Sequence, residues 1–133
     1  MKDIIFDDFQ NSVSETLLRH KSILDILTKL EESQSRVNRA VVKSVTTCGC
    51  LKVEASKQQM PKGEDVDLEN LKNCLQTHIS GELCESCREI LESEIGNNLY
   101  YLASLCETLD LNLYDILLKE YSRLNALGKF SLK

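Results

Sequence analysis

The chain has 133 residues, with one proline, five glycines, six cysteines, no tryptophan and a formal net charge of −5. That length builds one domain around one core, and with Gly and Pro so scarce an all-β fold with many tight turns is disfavoured. The acidic balance, 21 Asp and Glu against 16 Lys and Arg, gives no long-range attraction to nucleic acid or to an anionic membrane surface, so neither is an expected partner.

The first ten residues carry Asp3, Asp7 and Asp8 and never run more than three apolar residues together, unlike a secretory leader. No window approaches the ~18 apolar residues of a membrane span. A cytoplasmic location is therefore expected. Thiols stay reduced there, so six cysteines point to metal, redox chemistry or burial rather than to a disulfide framework.

Within residues 4–18, Phe6, Phe9, Val13, Leu17 and Leu18 recur at helical spacing, as one short helix or two pieces of one. Ser12 with Glu15 reads as a capping box. From Ser22 the periodicity predicts a helix of about 24 residues, with Ile23, Leu27, Leu30, Val37, Val41 and Val45 on one face and a gap in the stripe at Ser33 and Gln34. Ser22 and Asp25 mark its start, and Thr46-Thr47-Cys48-Gly49-Cys50 its stop. On the same helix Arg36, Arg39 and Lys43 form a stripe that reads as a solvated face, with Glu32 and Arg36 a favourable i,i+4 pair.

Residues 52–66 are polar, hold the single proline, Pro61, and read as a surface connection. Leu68, Leu71, Leu75 and Ile79 then predict a short amphipathic helix ending near Gly81. The longest apolar series follows, through Ile90, Leu91, Ile95, Leu99, Leu102, Leu105, Cys106 and Leu109. Asp110-Leu111-Asn112 breaks it, Asn112 offers an N-cap, and Leu113, Ile116, Leu117, Tyr121 and Leu124 make a final helix stopped by Gly128. The expected fold is all-α, a four- to five-helix bundle in a single domain over 1–133.

Two close cysteine pairs stand out. Cys48-Gly49-Cys50 and Cys84-Glu85-Ser86-Cys87 are separated by 33 residues, and four thiolates in two pairs suit tetrahedral zinc, with an iron–sulfur cluster as the other metal reading. A redox dithiol and unrelated thiols are the remaining possibilities. Seven residues apart on one helix, Cys87 and Glu94 project within roughly 20° of each other, which places the cysteines two turns from that carboxylate. Cys106 falls on the core stripe and reads as packing. Cys74 and His78 read as structural, and His20 has no partner in view.

The segment Glu94-Ile95-Gly96-Asn97-Asn98-Leu99-Tyr100-Tyr101-Leu102-Ala103 resembles the second motif of MazG-like all-α nucleoside triphosphate pyrophosphohydrolases, roughly E-[IL]-G-D-x-L-[WY]-Y-L-A. The likeness runs on through the break at Leu109–Leu113 to Leu124, 31 residues without a gap. A mid-helix glycine costs about 1 kcal/mol, so Gly96 calls for a packing or functional reason of its own. In that family an earlier E-E-x-x-E motif joins the second to hold Mg²⁺, and its counterpart here is Glu31-Glu32-Ser33-Gln34-Ser35. The resemblance thus implies a Mg²⁺ site at Glu31, Glu32, Glu94 and Asn97, a nucleotide ligand and a homodimer. Ser35 stands where the third glutamate belongs and Asn97 where the aspartate belongs, so the acidic set is thinned and a neutral amide replaces a hard charged ligand.

The leading expectation is accordingly a divergent, non-catalytic MazG-like helical protein. It would act as a binding or regulatory module with zinc or an iron–sulfur cluster at Cys48, Cys50, Cys84 and Cys87. An active Mg²⁺-dependent nucleotide pyrophosphohydrolase and a helical interaction scaffold with incidental thiols are the alternatives.

Overall fold

Ser22, Asp67, Cys84 and Asn112 each stand in extended backbone just before a helix. Each turns a side-chain acceptor onto a free N–H of the first turn, at Leu24, Asn70, Cys87 and Asp115 respectively. These caps set four of the helix starts. The computed structural model describes residues 2–61, 63 and 67–128. Its order is α1 (Lys2–Thr16), α2 (Ile23–Lys43), a π-helical turn (Ser44–Cys48), β1 (Leu51–Val53), α3 (Leu68–Cys74), β2 (Ile79–Gly81), α4 (Glu85–Thr108) and α5 (Leu113–Leu127). The protein is an all-α bundle with one small two-stranded sheet.

The main seam runs between α2 and α4, with α1 packed on α4 and α5 on α1. Ile26, Val13, Leu17, Ala103 and Cys106 are buried in it, and each fully buried Val or Ile contributes about 1.5–3 kcal/mol. Small polar residues are buried among the packed helices. Ser33 is buried, donates to the Leu30 carbonyl at 2.8 Å and accepts from Asn98 Nδ2 on α4 at 3.0 Å. The gap in the α2 stripe is therefore part of the seam rather than a break in it. Ser104 is likewise buried and donates to the Tyr100 carbonyl at 2.8 Å.

Gln10 ties α1 to the turn between α4 and α5. Its Nε2 donates to Glu107 Oε2 at 3.0 Å and to the Leu111 carbonyl at 2.7 Å, and its Oε1 accepts from the Leu113 N–H at 2.9 Å. A buried amide with every bond made fixes the entry of α5 from another helix.

Several expectations are corrected. Ser12 lies in the middle of α1, where its carbonyl accepts from the Thr16 hydroxyl, so it starts no helix. The helix expected from Leu68 to Gly81 ends at Cys74. Ile79–Gly81 instead pairs antiparallel with Leu51–Val53, with Leu51 opposite Gly81 and Val53 opposite Ile79. Leu75 turns extended at the end of α3 and His78 takes a φ of 61°, which together redirect the chain. Of the polar connection over 52–66, residues 62 and 64–66 lie outside the described residues.

The chain exposes 10407 Å². A compact monomer of 15.1 kDa exposes about 7,100 Å² by the usual size scaling. Part of the excess is apolar: α5 buries no residue fully, and Leu99, Leu102, Ile116, Leu117 and Leu124 are all exposed.

Candidate metal centre

The end of α2 is built to turn. After Lys43 the last turn, Ser44–Cys48, is π-helical, a form that recurs at functional sites. Gly49 closes it with a φ of 79° and donates its N–H to the Ser44 carbonyl at 2.9 Å. Cys48 and Cys50 thus flank a left-handed turn, and Cys50 leads directly into β1. On the other side of the sheet, a Cβ at Gly81 would collide with the Cys50 carbonyl oxygen, so only glycine lets β2 pass this close. Three residues later Cys84 caps α4, and Cys87 lies in its first turn.

The sheet and the two helix ends bring all four cysteines together. Their Sγ atoms lie within 4.8 Å of one another, and Cys48 and Cys84 are 3.8 Å apart. All four are free thiols. A tetrahedral ion with metal–sulfur bonds of about 2.3 Å has sulfur–sulfur edges of about 3.8 Å. The arrangement needs only side-chain adjustment to close on one ion.

The electrostatics fit a ligand set that is short of a cation. The Cys87 N–H donates to Cys84 Sγ at 3.4 Å at the start of α4 and, with help from the Cys87 thiol, draws the Cys84 thiol down to about 7. Ser44 favours the Cys87 thiolate, but Cys84, burial and the other two thiols outweigh it and push Cys87 up to about 12. At Cys48 a backbone hydrogen bond from Cys50 favours the thiolate, and the neighbouring Cys84 leads the effects that raise it overall. One thiolate is tolerated, and its neighbours act as its donors. Further thiolates call for a positive ion among them.

The acidic positions implied by the resemblance are spread over several cavities. Glu94 and Cys87 line the same cleft, as their spacing of seven predicts. Glu31 borders another cavity with Leu27, Leu30 and Leu102, and Asn97 a third with Lys29 and Tyr101. Glu32 is engaged by cations, at 3.2 Å from Arg36 Nε and 3.4 Å from Lys29 Nζ, and its carboxyl is held below the usual range by Arg36 first and Lys29 second. Asn98, which carried no role in the sequence reading, is the α4 residue that reaches Ser33.

Cys106 is buried as expected, and Cys74 and His78 are half-buried outside the four-cysteine group. His20 does have a neighbour, with Nδ1 3.9 Å from Asp25 Oδ2. The Arg36, Arg39 and Lys43 stripe is exposed, as expected of a solvated face. All three line the cleft of about 340 Å³ that holds Glu94 and borders Cys48 and Cys87. The arginine and lysine spacing was visible in the sequence, but not which part of α4 it would face. No protein-family model matches the chain, and neither a curated protein nor a solved structure matches it significantly.

Proposed function

We propose that Cys48, Cys50, Cys84 and Cys87 hold one metal ion, zinc in preference to an iron–sulfur cluster, and that the protein is a metal-stabilised binding or regulatory module. The observation that carries this reading is the mutual distance of the four sulfur atoms, all within 4.8 Å. A mononuclear four-thiolate site has edges of about 3.8 Å. A cluster interposes several iron and sulfide atoms between its thiolates and needs them further apart. Four protein thiolates leave no open position for a substrate, which is the pattern of structural zinc.

The role such an ion would play follows from what it joins. It would clamp the end of α2 and the start of α4 across a sheet of only three residue pairs. A ladder that short has marginal stability on its own. Thiolate ligation also fits a reducing, cytoplasmic setting. The MazG-like resemblance remains our reading of the helical frame, as a divergent, non-catalytic member. The engagement of Glu32 by two cations supports the non-catalytic part, because Mg²⁺ there would have to displace both.

The same reading includes a homodimer. The surface it would bury is the apolar one carried by the exposed Leu99, Leu102, Ile116, Leu117 and Leu124 on α4 and α5. Light scattering on the purified protein is expected to give twice the chain mass, with Leu99→Asp shifting it to the monomer.

Elemental analysis of anaerobically purified protein tests the metal. The expected result is one zinc per chain, lost in the Cys84→Ser, Cys87→Ser variant. Cobalt substitution should give the visible absorption of a tetrahedral thiolate site. Fully folded protein that carries no metal and takes up none would overturn the proposal, and sulfide-containing chromophoric protein would replace zinc with a cluster.

A further inference from the structure

We propose that the cleft beside the cysteines is a binding site for a small anion carried on an apolar body, of the organic phosphate class. Three observations converge on it. Arg36, Arg39 and Lys43 all border a cleft of about 340 Å³, a volume that suits a small organic molecule. Against a chain charge of −5, this concentration of positive charge is a local reversal that attracts anions. Arg36 shares its charge with Glu32, whereas Arg39 and Lys43 make no ion pair among the described residues. Two guanidinium groups and an ammonium suit a phosphoryl group better than a lone carboxylate, because arginine donates in a fork that matches phosphate oxygens.

The second observation is the lining between the charges. Ile90 and Ala40 face the same space, and Ile90 is 53% exposed although it opens the apolar series of α4. An apolar group laid there would cover surface the protein leaves open. The third is Glu94, which lines the cleft and has one carboxylate oxygen, Oε2, buried without a hydrogen-bond partner among the described residues. A buried carboxylate oxygen without a donor is costly. A turn of the Glu94 side chain toward the cleft would let a ligand with an O–H or N–H on its apolar body complete it.

The competing role for the cations is to offset the charge of the metal-bound thiolates, since Cys48 and Cys87 form part of the wall. The two roles separate experimentally. Zinc-loaded protein is titrated by calorimetry with inorganic phosphate, phenyl phosphate and 4-hydroxyphenyl phosphate, and zinc content is measured in every variant. The expected order is phosphate weakest, phenyl phosphate about tenfold tighter through burial of the ring, and the hydroxyphenyl ester tighter again. Arg39→Ala with Lys43→Ala should weaken all three by tenfold or more at unchanged zinc content. Glu94→Ala should remove the difference between the two aryl esters and leave phosphate binding in place. No saturable binding of any probe overturns the proposal, as does binding indifferent to the Arg39 and Lys43 changes. Loss of zinc from the Arg39→Ala, Lys43→Ala protein without any anion effect assigns the cations to the metal instead. A metal-free wild type that still binds the esters in this order keeps the cleft and discards only the metal.

Discussion

The two ends of the α2–α4 seam are held by different physics. At one end Val13, Leu17, Ile26, Ala103, Ser104 and Cys106 are buried together, and Gln10 makes three hydrogen bonds that lock α1 onto the α4–α5 turn. At the other end Leu51 and Ser44 are the buried residues around a three-pair sheet and four thiols. The first end carries its own core. The second has little apolar burial among the described residues and four thiols close enough to hold an ion. A small domain short of core commonly makes up the difference with a metal.

The largest expected effect breaks the second end alone. Chelation, or Cys84→Ser with Cys87→Ser, should release the segment from Cys48 to Cys87 and cost several kcal/mol, since structural zinc in small domains is worth about 10–16 kcal/mol in binding free energy. Hydrogen exchange should rise at Leu51–Val53 and Ile79–Gly81 while α1 and the later turns of α4 keep their protection. Uniform loss of protection would erase the contrast between the ends. The sign with pH follows from ligation. Metal binding expels thiol protons, chiefly at Cys87, held at about 12 without the ion. The stabilisation is therefore present at higher pH and lost as pH falls, and zinc retention should drop as pH is lowered through and below the Cys84 value of about 7.

Gln10→Ala attacks the first end. It leaves the Leu113 N–H and the Leu111 carbonyl short of their partner, at a cost of about 2–3 kcal/mol. Thermal unfolding should report that loss, with zinc affinity changed by less than about twofold because the sites are distant and share no partner.

How far the two ends were legible in the sequence differs for the same reason. Cys48, Cys50, Cys84 and Cys87 announce themselves by spacing, and Ser22, Asn112 and Gly128 by the chemistry of helix ends, so those features needed no tertiary knowledge. Cys87 and Glu94 meet in one cleft because seven residues nearly complete two turns. The strand Ile79–Gly81 was hidden because three residues carry no periodicity, and Leu71, Leu75 and Ile79 happen to repeat at helical spacing. Ser33 looked like a defect, since its polar atom is satisfied only by Asn98, 65 positions away. Arg36, Arg39 and Lys43 are exposed as their stripe suggested, but a stripe on one helix does not say which part of another lies opposite.

Gly81 joins the two pairs of cysteines, and its substitution probes the sheet without removing a ligand sulfur, although it presses on the backbone of Cys50. In Gly81→Ala the new Cβ meets the Cys50 carbonyl oxygen at a φ of 84°. The strain is about 1–3 kcal/mol. If β1 and β2 preorganise the thiols, zinc affinity falls by about tenfold or more. Unchanged affinity would mean that the ion assembles this end without help from the sheet.

The smallest effect is expected at Gly96, and its sign carries the information. The glycine stands in the middle of α4, is exposed, and an added Cβ would meet nothing within 4 Å in the chain itself. Within one protomer, Gly96→Ala should therefore stabilise the helix by up to about 1 kcal/mol. Among the described residues nothing packs against Gly96, so the packing or functional reason that the sequence called for is not met within the protomer, and the proposed homodimer would supply one. Close backbone approach by a second copy would make the same substitution destabilising and shift the assembly toward the monomer. Thermal unfolding and light scattering on this one variant separate the cases, and they do so without disturbing either the core around Gln10 or the cysteine end.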